Sequence, residues 1–389
     1  MYDYEDEEDD MFGTPPPAKN KATIDFKSEL NDDQYKAVTA PFGPALVLAG
    51  AGSGKTRTLT YRVAYLLSEG VNPENILLLT FTNKASKQML ERVEELTGMG
   101  AHRFLGGTFH HVGGQVLRLF GDSIGLPRNY TILDDSDSDS LLSEVIRDLD
   151  PDFFKSKENP KAKPIKGIIS YSRNVMVPVE EVAKGRYPSN GELLAKIDAF
   201  MREYQEAKIS RGLADYDDLL VLWLQVLETN QDAAQYYQDR FSHILVDEYQ
   251  DVNTLQAKIV DKIGANHQIM AVGDDAQCIY TWRGADIDQI LGFPERHPGT
   301  RIFKIETNYR SSPEILKFAN GILENRATDE NFTKTLKPSQ PHQELPVVVP
   351  TIDTYQQANF ILSKVEQLVN NGTSYDDIAI LYRAHYHAM

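Results

Sequence analysis

The sequence has almost no cysteine and no long apolar run. Cys278 is its single cysteine, so no disulfide can form within the 389 residues, which suits a reducing compartment. No apolar run approaches the roughly 18 residues that a membrane helix requires, and the acidic start is unlike a signal peptide. The Cys and His residues are not spaced as in a zinc site. We therefore expect a soluble, cytoplasmic protein without a membrane partner.

The sequence also lacks an excess of positive charge. Its formal net charge is −17, and seven of the first ten residues are Asp or Glu. This balance does not exclude a nucleic-acid partner, because a local groove of Lys and Arg matters more than the total charge. Residues 1–22 are predicted to be a disordered acidic tail. The tail could bind a protein partner or mimic DNA, but a solubilising role is favoured.

The most informative segment is the glycine-rich turn at residues 49–56, which follows the apolar run at 45–48. Small residues let backbone N–H groups surround a phosphate chain, and a helix N-terminus adds partial positive charge. Lys55 can reach the β- and γ-phosphates, and the Thr56 hydroxyl can bind Mg²⁺. Ala49 stands where the general P-loop pattern has glycine. The predicted nucleoside triphosphate site comprises Gly50, Ala51, Gly52, Ser53, Gly54, Lys55 and Thr56.

Apolar runs alternate with helical patterns over much of the chain, whose length suggests two or three domains. Short buried strands are predicted at residues 45–48, 76–80, 243–246 and 268–272. The alternation predicts an α/β fold in which a parallel P-loop sheet has helices on both faces. From about 112 to 211 the pattern becomes mostly helical, which indicates an insertion. A second α/β unit is predicted from about residue 303, with strands at 347–349 and 378–381.

Two adjacent carboxylates, Asp247 and Glu248, follow one of these predicted strands. Ligands collect where strands leave a parallel sheet. An Asp there can hold the Mg²⁺ that bridges the phosphates, and the adjacent Glu can act as general base for the attacking water. Gln277 follows the next strand, where it could contact the γ-phosphate. We assign Asp247 and Thr56 to the metal, and Lys55, Asp247, Glu248 and Gln277 to catalysis.

These segments resemble, in order, the motifs of the superfamily 1A DNA helicases of the UvrD/PcrA/Rep type. The matching segments are residues 30–34, 50–56, 80–85, 107–110, 246–251, 272–285 and 307–312. The similarity is collinear from residue 27 to about 383. It implies RecA-like motor domains and an ATP-dependent 3′–5′ translocase or helicase on single-stranded DNA. It also implies ATP and Mg²⁺ as cofactors, and single-stranded DNA and its junctions with duplex DNA as partners.

The resemblance implies roles for four residues outside the glycine-rich turn. Gln34 would read the adenine edge, and Tyr309 would stack on the base. Arg57 and Arg310 would contact the phosphates, Arg310 as a catalytic residue from the second motor domain. These roles suit the side chains, since an amide offers adenine both a donor and an acceptor, and a guanidinium fork matches a phosphate.

Two segments just beyond predicted strands, residues 80–84 and 280–283, mix aromatic, hydroxyl and basic side chains. Rings stacked on unpaired bases contribute about 1–3 kcal/mol each, and hydroxyls and cations bind the phosphate backbone. By resemblance, the single strand would contact Phe81, Thr82, Asn83, Thr108, His110, Tyr280, Trp282 and Arg283. On residue type alone, Phe81 and Tyr280 could instead be core residues, and His110 could be structural.

The resemblance also divides the chain into domains. The first RecA-like motor domain would comprise residues 23–111 and 212–302, the insertion 112–211, and the beginning of a second RecA-like domain 303–389. In the family this second domain is longer and supplies further motifs and a second arginine. We therefore expect an N-terminal part, cut from a longer protein or a natural fragment. Nucleotide and DNA contacts would be partly kept, and hydrolysis strongly impaired.

Two other functions remain open. The chain could belong to a DNA-stimulated ATPase that strips proteins from DNA or acts as a switch without unwinding it. It could also be a helicase-like binding module that acts through the acidic tail without productive catalysis, although the complete set of catalytic residues fits that poorly. A nuclease domain in a longer protein is a further possibility.

Overall fold

The structure, a computed structural model, describes residues 24–264, 268–325 and 330–383, apart from the side chains of Ala101, Arg283 and Glu330. The predicted acidic tail, residues 1–22, lies outside the described residues. Two units divide the chain, residues 1–342 and residues 343–389, and each is described by itself. Among the helices of the described segments, none is both long and apolar enough to cross a membrane.

A six-stranded parallel sheet forms the centre of the first unit. In chain order its strands are Ala45–Ala49, Ile76–Thr80, Leu105–Thr108, His243–Val246, Gln268–Gly273 and Arg301–Ile305. Numbered in that order, they lie side by side as 3-2-4-5-1-6. Val47 in the first strand is in register with Val272 on one side and Phe303 on the other. The predicted α/β fold with a parallel P-loop sheet is confirmed.

Helices cover both faces of the sheet because its central strands are apolar on both sides. Leu46 and Leu48 pack in one core cluster, whereas Val47, which alternates with them, packs in the other. The first cluster includes side chains from the helices Phe109–Phe120, Asp218–Thr229, Gln231–Arg240 and Thr254–Ile263. The second includes side chains from Asp32–Val38, Lys55–Ser68 and Asn83–Thr97. Shorter helices span Phe26–Glu29, Ile287–Leu291 and Phe293–Arg296.

The insertion has its own core of apolar side chains, which includes Phe153, Ile165 and Phe200. Its helices are Asp135–Leu149, Ala162–Val175, Val179–Arg186 and Gly191–Ser210. A short parallel pair, Thr131–Ile132 with Leu213–Ala214, joins its entry to its exit. The predicted boundary at 112 falls inside the helix Phe109–Phe120, whose Val112, Val116 and Leu117 belong to the same core cluster as Leu46 and Leu48 of the central sheet.

The segment after the last sheet strand also belongs to the first unit. Thr307–Asn308 pairs with Lys337–Pro338, and the helix Pro313–Leu323 lies between them in sequence. Residue 303, the predicted start of a second unit, lies within Arg301–Ile305, which is the edge strand beside Ala45–Ala49. Ile305 is fully buried in the second core cluster, which ties this strand to the first unit.

The second unit contains the helix Thr354–Asn370 and a single turn of 3₁₀-helix at Tyr375–Asp377. The structure has no strand at residues 347–349 or 378–381, so the strands predicted there are absent from the described chain. A strand needs a neighbour for its backbone hydrogen bonds. Within residues 343–383 these apolar segments have no such neighbour, and Val347 and Leu381 are exposed.

A buried charge cluster joins the insertion to the helices that cover the central sheet. The Lys208 ammonium lies 2.5 Å from Asp215 Oδ2 and 2.6 Å from Asp218 Oδ2, and the lysine is fully buried. The Tyr204 hydroxyl donates a hydrogen bond to Asp215 Oδ2, and Arg173 forms an ion pair with Asp218. The cluster therefore connects the last helix of the insertion to the start of the helix Asp218–Thr229.

We expect Lys208→Met to destabilise the fold by about 3–5 kcal/mol, since it leaves two buried carboxylates without their nearest cation. Urea unfolding followed by circular dichroism measures this loss. Lys196→Met is the matched control, because Lys196 lies on the same helix and is also ion-paired, but its side chain is partly exposed rather than fully buried. Its free energy of unfolding should stay near the wild-type value. Equal losses in the two variants would contradict the prediction.

Candidate nucleotide site and nucleic-acid groove

The glycine-rich turn has the conformation that a phosphate cradle requires. Gly52 and Gly54 have φ angles of 74° and 88°, in the left-handed region that glycine adopts at little cost. The Ser53 hydroxyl and amide both bond the Gly50 carbonyl, at 2.7 and 3.1 Å, which closes the turn. The helix Lys55–Ser68 starts at once, so its unpaired backbone N–H groups and Thr56 border the turn.

Lys55 and Glu248 form an ion pair across the site. Lys55 Nζ lies 2.6 Å from Glu248 Oε2, and the lysine side chain is only 9% exposed. Glu248 follows the strand His243–Val246 with a φ of 49°, a left-handed conformation that is strained for a residue other than glycine. Parallel strands that are distant in sequence thus place the predicted phosphate-binding lysine and the predicted general base in contact.

Asp247 is buried beside this ion pair. It is 3% exposed, and its Oδ1 accepts a hydrogen bond of 2.9 Å from the Glu248 amide. Burial, and then the negative charge of Glu248, raise the pKa of Asp247 to about 7. A carboxyl group in such a site gains from a cation, because the cation would offset the cost of burying its charge. The environment of Asp247 thus fits a metal ligand.

A chain of hydrogen bonds runs from Glu248 to the loop that carries Gln277. Gln250 Nε2 donates to Glu248 Oε2 at 2.8 Å, and Gln250 Oε1 accepts from the Asp274 amide at 2.9 Å. Gln277 Nε2 in turn donates to Asp274 Oδ2 at 2.6 Å. The loops that carry Glu248 and Gln277 follow different strands and are therefore coupled through the buried Gln250.

Of the residues predicted to bind the base and the phosphates, Gln34 contacts the glycine-rich turn, whereas the guanidinium of Arg57 binds Glu29. Gln34 is buried and donates to the Ser53 carbonyl at 3.0 Å, while its own helix is capped by Asn31. Arg57 instead binds the Glu29 carbonyl at 2.8 Å and forms an ion pair with the Glu29 carboxylate. The structure therefore brings Gln34 to the turn and pairs the Arg57 guanidinium with Glu29.

The segment with Tyr309 and Arg310 lies directly over the glycine-rich turn. The Tyr309 amide donates to the Gly52 carbonyl at 2.9 Å, and the Tyr309 hydroxyl accepts from Asn31 Nδ2 at 2.7 Å. A Cβ at Gly52 would lie 2.6 Å from Arg310 Cβ, so the close approach requires glycine. Asn308, which no sequence signal distinguished within its segment, bonds the Ala51 carbonyl through its amide.

A groove of about 710 Å³ lies between the sheet edge and the insertion. Six of the eight residues predicted to contact DNA line it: Phe81, Thr82, Asn83, Thr108, His110 and Trp282. The insertion contributes Tyr171 and Arg186 among others, from two different helices. Sequence reasoning missed both because no local pattern marks either residue as lining a groove. Tyr280 stacks on Phe81, with ring centroids 5.4 Å apart, and the side chain of Arg283 lies outside the described residues.

The rings at this groove are accessible. Trp282 is 64% exposed, and Phe81 and Tyr280 are half-buried, so neither of the latter two belongs to the core. His110 is half-buried with its ring 5.8 Å from that of Tyr216. Burial lowers the pKa of His110, although the negative charge of Asp217 acts in the opposite direction, so the environment favours the neutral imidazole.

Comparison with known proteins agrees with this geometry. The family model of the UvrD/REP helicase N-terminal domain matches residues 30–298, and that of the UvrD-like helicase C-terminal domain matches 303–389. The second match begins inside the strand Arg301–Ile305, so the sequence families and the structural units are divided at different points.

Two relatives illustrate the similarity. The ATP-dependent DNA helicase PcrA of Staphylococcus aureus (strain Mu50 / ATCC 700699) is 36% identical over 358 residues, which are 92% of this chain and 48% of that protein. PcrA of Bacillus subtilis (strain 168) is 37% identical over 361 residues, 92% of this chain and 47% of that protein. This chain thus spans about half the length of these relatives. With both family models matched in order, the chain belongs to the UvrD/REP helicase family.

Proposed function

We propose that this chain is the ATP-binding and single-strand-binding part of an ATP-dependent DNA translocase or helicase that moves 3′ to 5′. One observation carries the proposal: a single strand, Gln268–Gly273, leads into both candidate sites. The loop after it first supplies Asp274 and Gln277 on the nucleotide side, and then Tyr280 and Trp282 at the groove. A shift in one site would therefore be transmitted to the other through a few residues.

The residues at the cradle suit Mg²⁺-ATP. Lys55 and the backbone N–H groups of the turn would hold the phosphates, and Thr56 with Asp247 would hold the metal. The bound Mg²⁺ would neutralise charge on the phosphate oxygens. Glu248 would accept a proton from the attacking water, because Gln250 holds its carboxylate at the edge of the cradle. Gln34 and Tyr309 flank the turn from the side on which the base would lie.

The groove suits an unpaired strand. Trp282, Tyr280 and Phe81 form a row of rings on which bases would stack without sequence discrimination. Thr82, Asn83 and Thr108 add polar groups at strand ends for the phosphate backbone. Strand displacement by the complete protein would separate unwinding from the alternative of an ATPase that strips proteins from DNA.

We expect Lys55→Ala and Glu248→Gln to affect different steps. Lys55→Ala removes the phosphate-binding cation and should weaken binding of a fluorescent ATP analogue severely. Glu248→Gln should keep binding and lower hydrolysis by on the order of 10²–10⁴-fold, because it removes only the proton acceptor. Hydrolysis is measured in single turnover, with protein in excess over ATP. This assay detects hydrolysis even if these 389 residues turn over slowly, as we expect. Hydrolysis by Glu248→Gln at the wild-type rate would contradict the assignment.

We expect the stability of the metal-free chain to depend on Asp247 and pH. The pKa of Asp247 is about 7 in the folded chain and about 3.9 in an unfolded one. The folded state therefore binds a proton more tightly, and this contribution to stability is lost as the pH rises towards 7 and above.

The measurement is urea unfolding in EDTA from about pH 5 to about pH 8, a window that spans the pKa of about 7. Relative to Asp247→Asn, the wild-type chain should lose free energy of unfolding as the pH rises. Asp148→Asn, at an exposed carboxylate, should instead follow the wild-type curve. A wild-type curve parallel to that of Asp247→Asn would contradict the expected titration.

We expect Trp282 to report on DNA binding. The other tryptophan, Trp223, is fully buried, so quenching of intrinsic fluorescence by an oligothymidine of about 16 nucleotides should come from Trp282. Trp282→Ala should abolish the quenching and weaken affinity by about 1–3 kcal/mol, as measured by anisotropy of a labelled oligonucleotide. Tyr236→Ala removes an exposed ring on the helix Gln231–Arg240 and should change neither signal. Undiminished affinity in Trp282→Ala would place the strand elsewhere.

A further inference from the structure

Lys334 is a buried lysine in contact with the loop that carries Gln277. It lies beyond the helix Pro313–Leu323, in a segment to which sequence reasoning gave no role. Its Nζ is 2.6 Å from Asp274 Oδ1 and also contacts Asp275 Oδ1. The lysine is 6% exposed, and both aspartates are 3% exposed. A buried cluster of this kind is stable only when each charge keeps its partners.

Asp274 connects Lys334 to the groups that the proposed hydrolysis requires. Its Oδ2 accepts from Gln277 Nε2 at 2.6 Å, and its amide donates to Gln250 Oε1 at 2.9 Å. Gln250 in turn bonds Glu248 at 2.8 Å, as described above. The Asp274 carboxylate thus orients the candidate γ-phosphate contact on one side, and the Asp274 backbone amide holds Gln250, which supports the candidate general base, on the other.

The segment around Lys334 is also held against the glycine-rich turn. Asn320 bonds both backbone groups of Leu336, at 3.0 and 2.9 Å, which anchors the segment to the helix Pro313–Leu323. Leu336 packs on Gly50 so closely that a Cβ at Gly50 would collide with it. The position of Lys334 is therefore fixed relative to the glycine-rich turn and to the helix that follows Arg310.

We propose that Lys334 is a positioning residue for ATP hydrolysis: it holds Asp274, and through Asp274 it orients Gln277 and the Gln250–Glu248 contact. It acts through these residues, since its ammonium contacts Asp274 and Asp275. The inference deepens the proposed function and rests on it. Misplacing a catalytic group by about 1 Å can lower a rate by about 10²-fold, so the effect should fall on hydrolysis more than on binding.

The experiment compares variants at Lys334 in the 389-residue chain. Lys334→Met removes the cation, and Lys334→Arg keeps it. The double variant Asp275→Asn/Lys334→Met removes one charge of each sign, which leaves the cluster with the same net charge as in the wild type. Lys337→Met is the matched control, because Lys337 is a nearby ion-paired lysine that is 66% exposed. Each variant is assayed for binding of a fluorescent ATP analogue and for single-turnover hydrolysis of ATP.

We expect Lys334→Met to lower the single-turnover rate by about tenfold or more while affinity changes little. Lys334→Arg should stay close to the wild-type rate. Should Lys334→Met unfold, the double variant tests the same point, since it should fold and bind ATP but still hydrolyse it slowly. Hydrolysis at the wild-type rate by the double variant would mean that only charge balance matters and would overturn the inference.

A second comparison tests the route through Gln277. In a Gln277→Ala background, Lys334→Met should have a smaller effect on the rate than in the wild type, because part of its action has already been removed. If the effects of Lys334→Met and Gln277→Ala on the rate were fully additive, Lys334 would not act through Gln277. If the wild-type chain neither bound nor hydrolysed ATP, so that it behaved as Lys55→Ala is expected to behave, the proposed function and this inference would both be overturned. Normal hydrolysis by Lys334→Met in an active chain would overturn this inference alone.

Discussion

Both candidate sites depend on the parallel direction of all six strands in the central sheet. In such a sheet the carboxyl ends of the strands meet at one edge, and the loops that follow them lie side by side. The turn after Ala45–Ala49 therefore lies opposite the carboxylates after His243–Val246, and Lys55 meets Glu248 at 2.6 Å. The same constraint brings the rings of Phe81 and Tyr280 together, although they follow different strands.

Buried ion pairs then join segments that apolar packing alone does not orient. Lys55 and Lys334 are each buried against carboxylates that are distant in sequence, and Lys208 is buried against carboxylates of the segment that follows its helix. Because an unpaired buried charge is costly, each pair favours one relative placement of its segments. The net charge of −17 is a property of the whole chain. It does not describe these sites, where each buried lysine contacts carboxylates directly.

The parts of the molecule that sequence predicted well are those with local causes. In the turn with Gly52, Gly54 and Lys55, consecutive residues encode the order of strand, glycine-rich turn and helix. The central strands are likewise encoded by consecutive apolar residues. Residues whose role comes from distant contacts had no such signal. Asn308 reaches Ala51, and Lys334 reaches Asp274, only because the chain returns over the turn.

The sequence by itself determined the parallel α/β sheet, the phosphate-binding turn and the membership in a helicase family, because glycine conformation, apolar alternation and motif order are local properties. Only the tertiary structure decided that Arg301–Ile305 completes the first sheet and that residues 347–349 remain unpaired. A strand is stable only when a neighbouring strand pairs with its backbone hydrogen-bonding groups, and a buried charge is stable only beside a partner of opposite charge. Neither partner can be identified from the residues on one side alone.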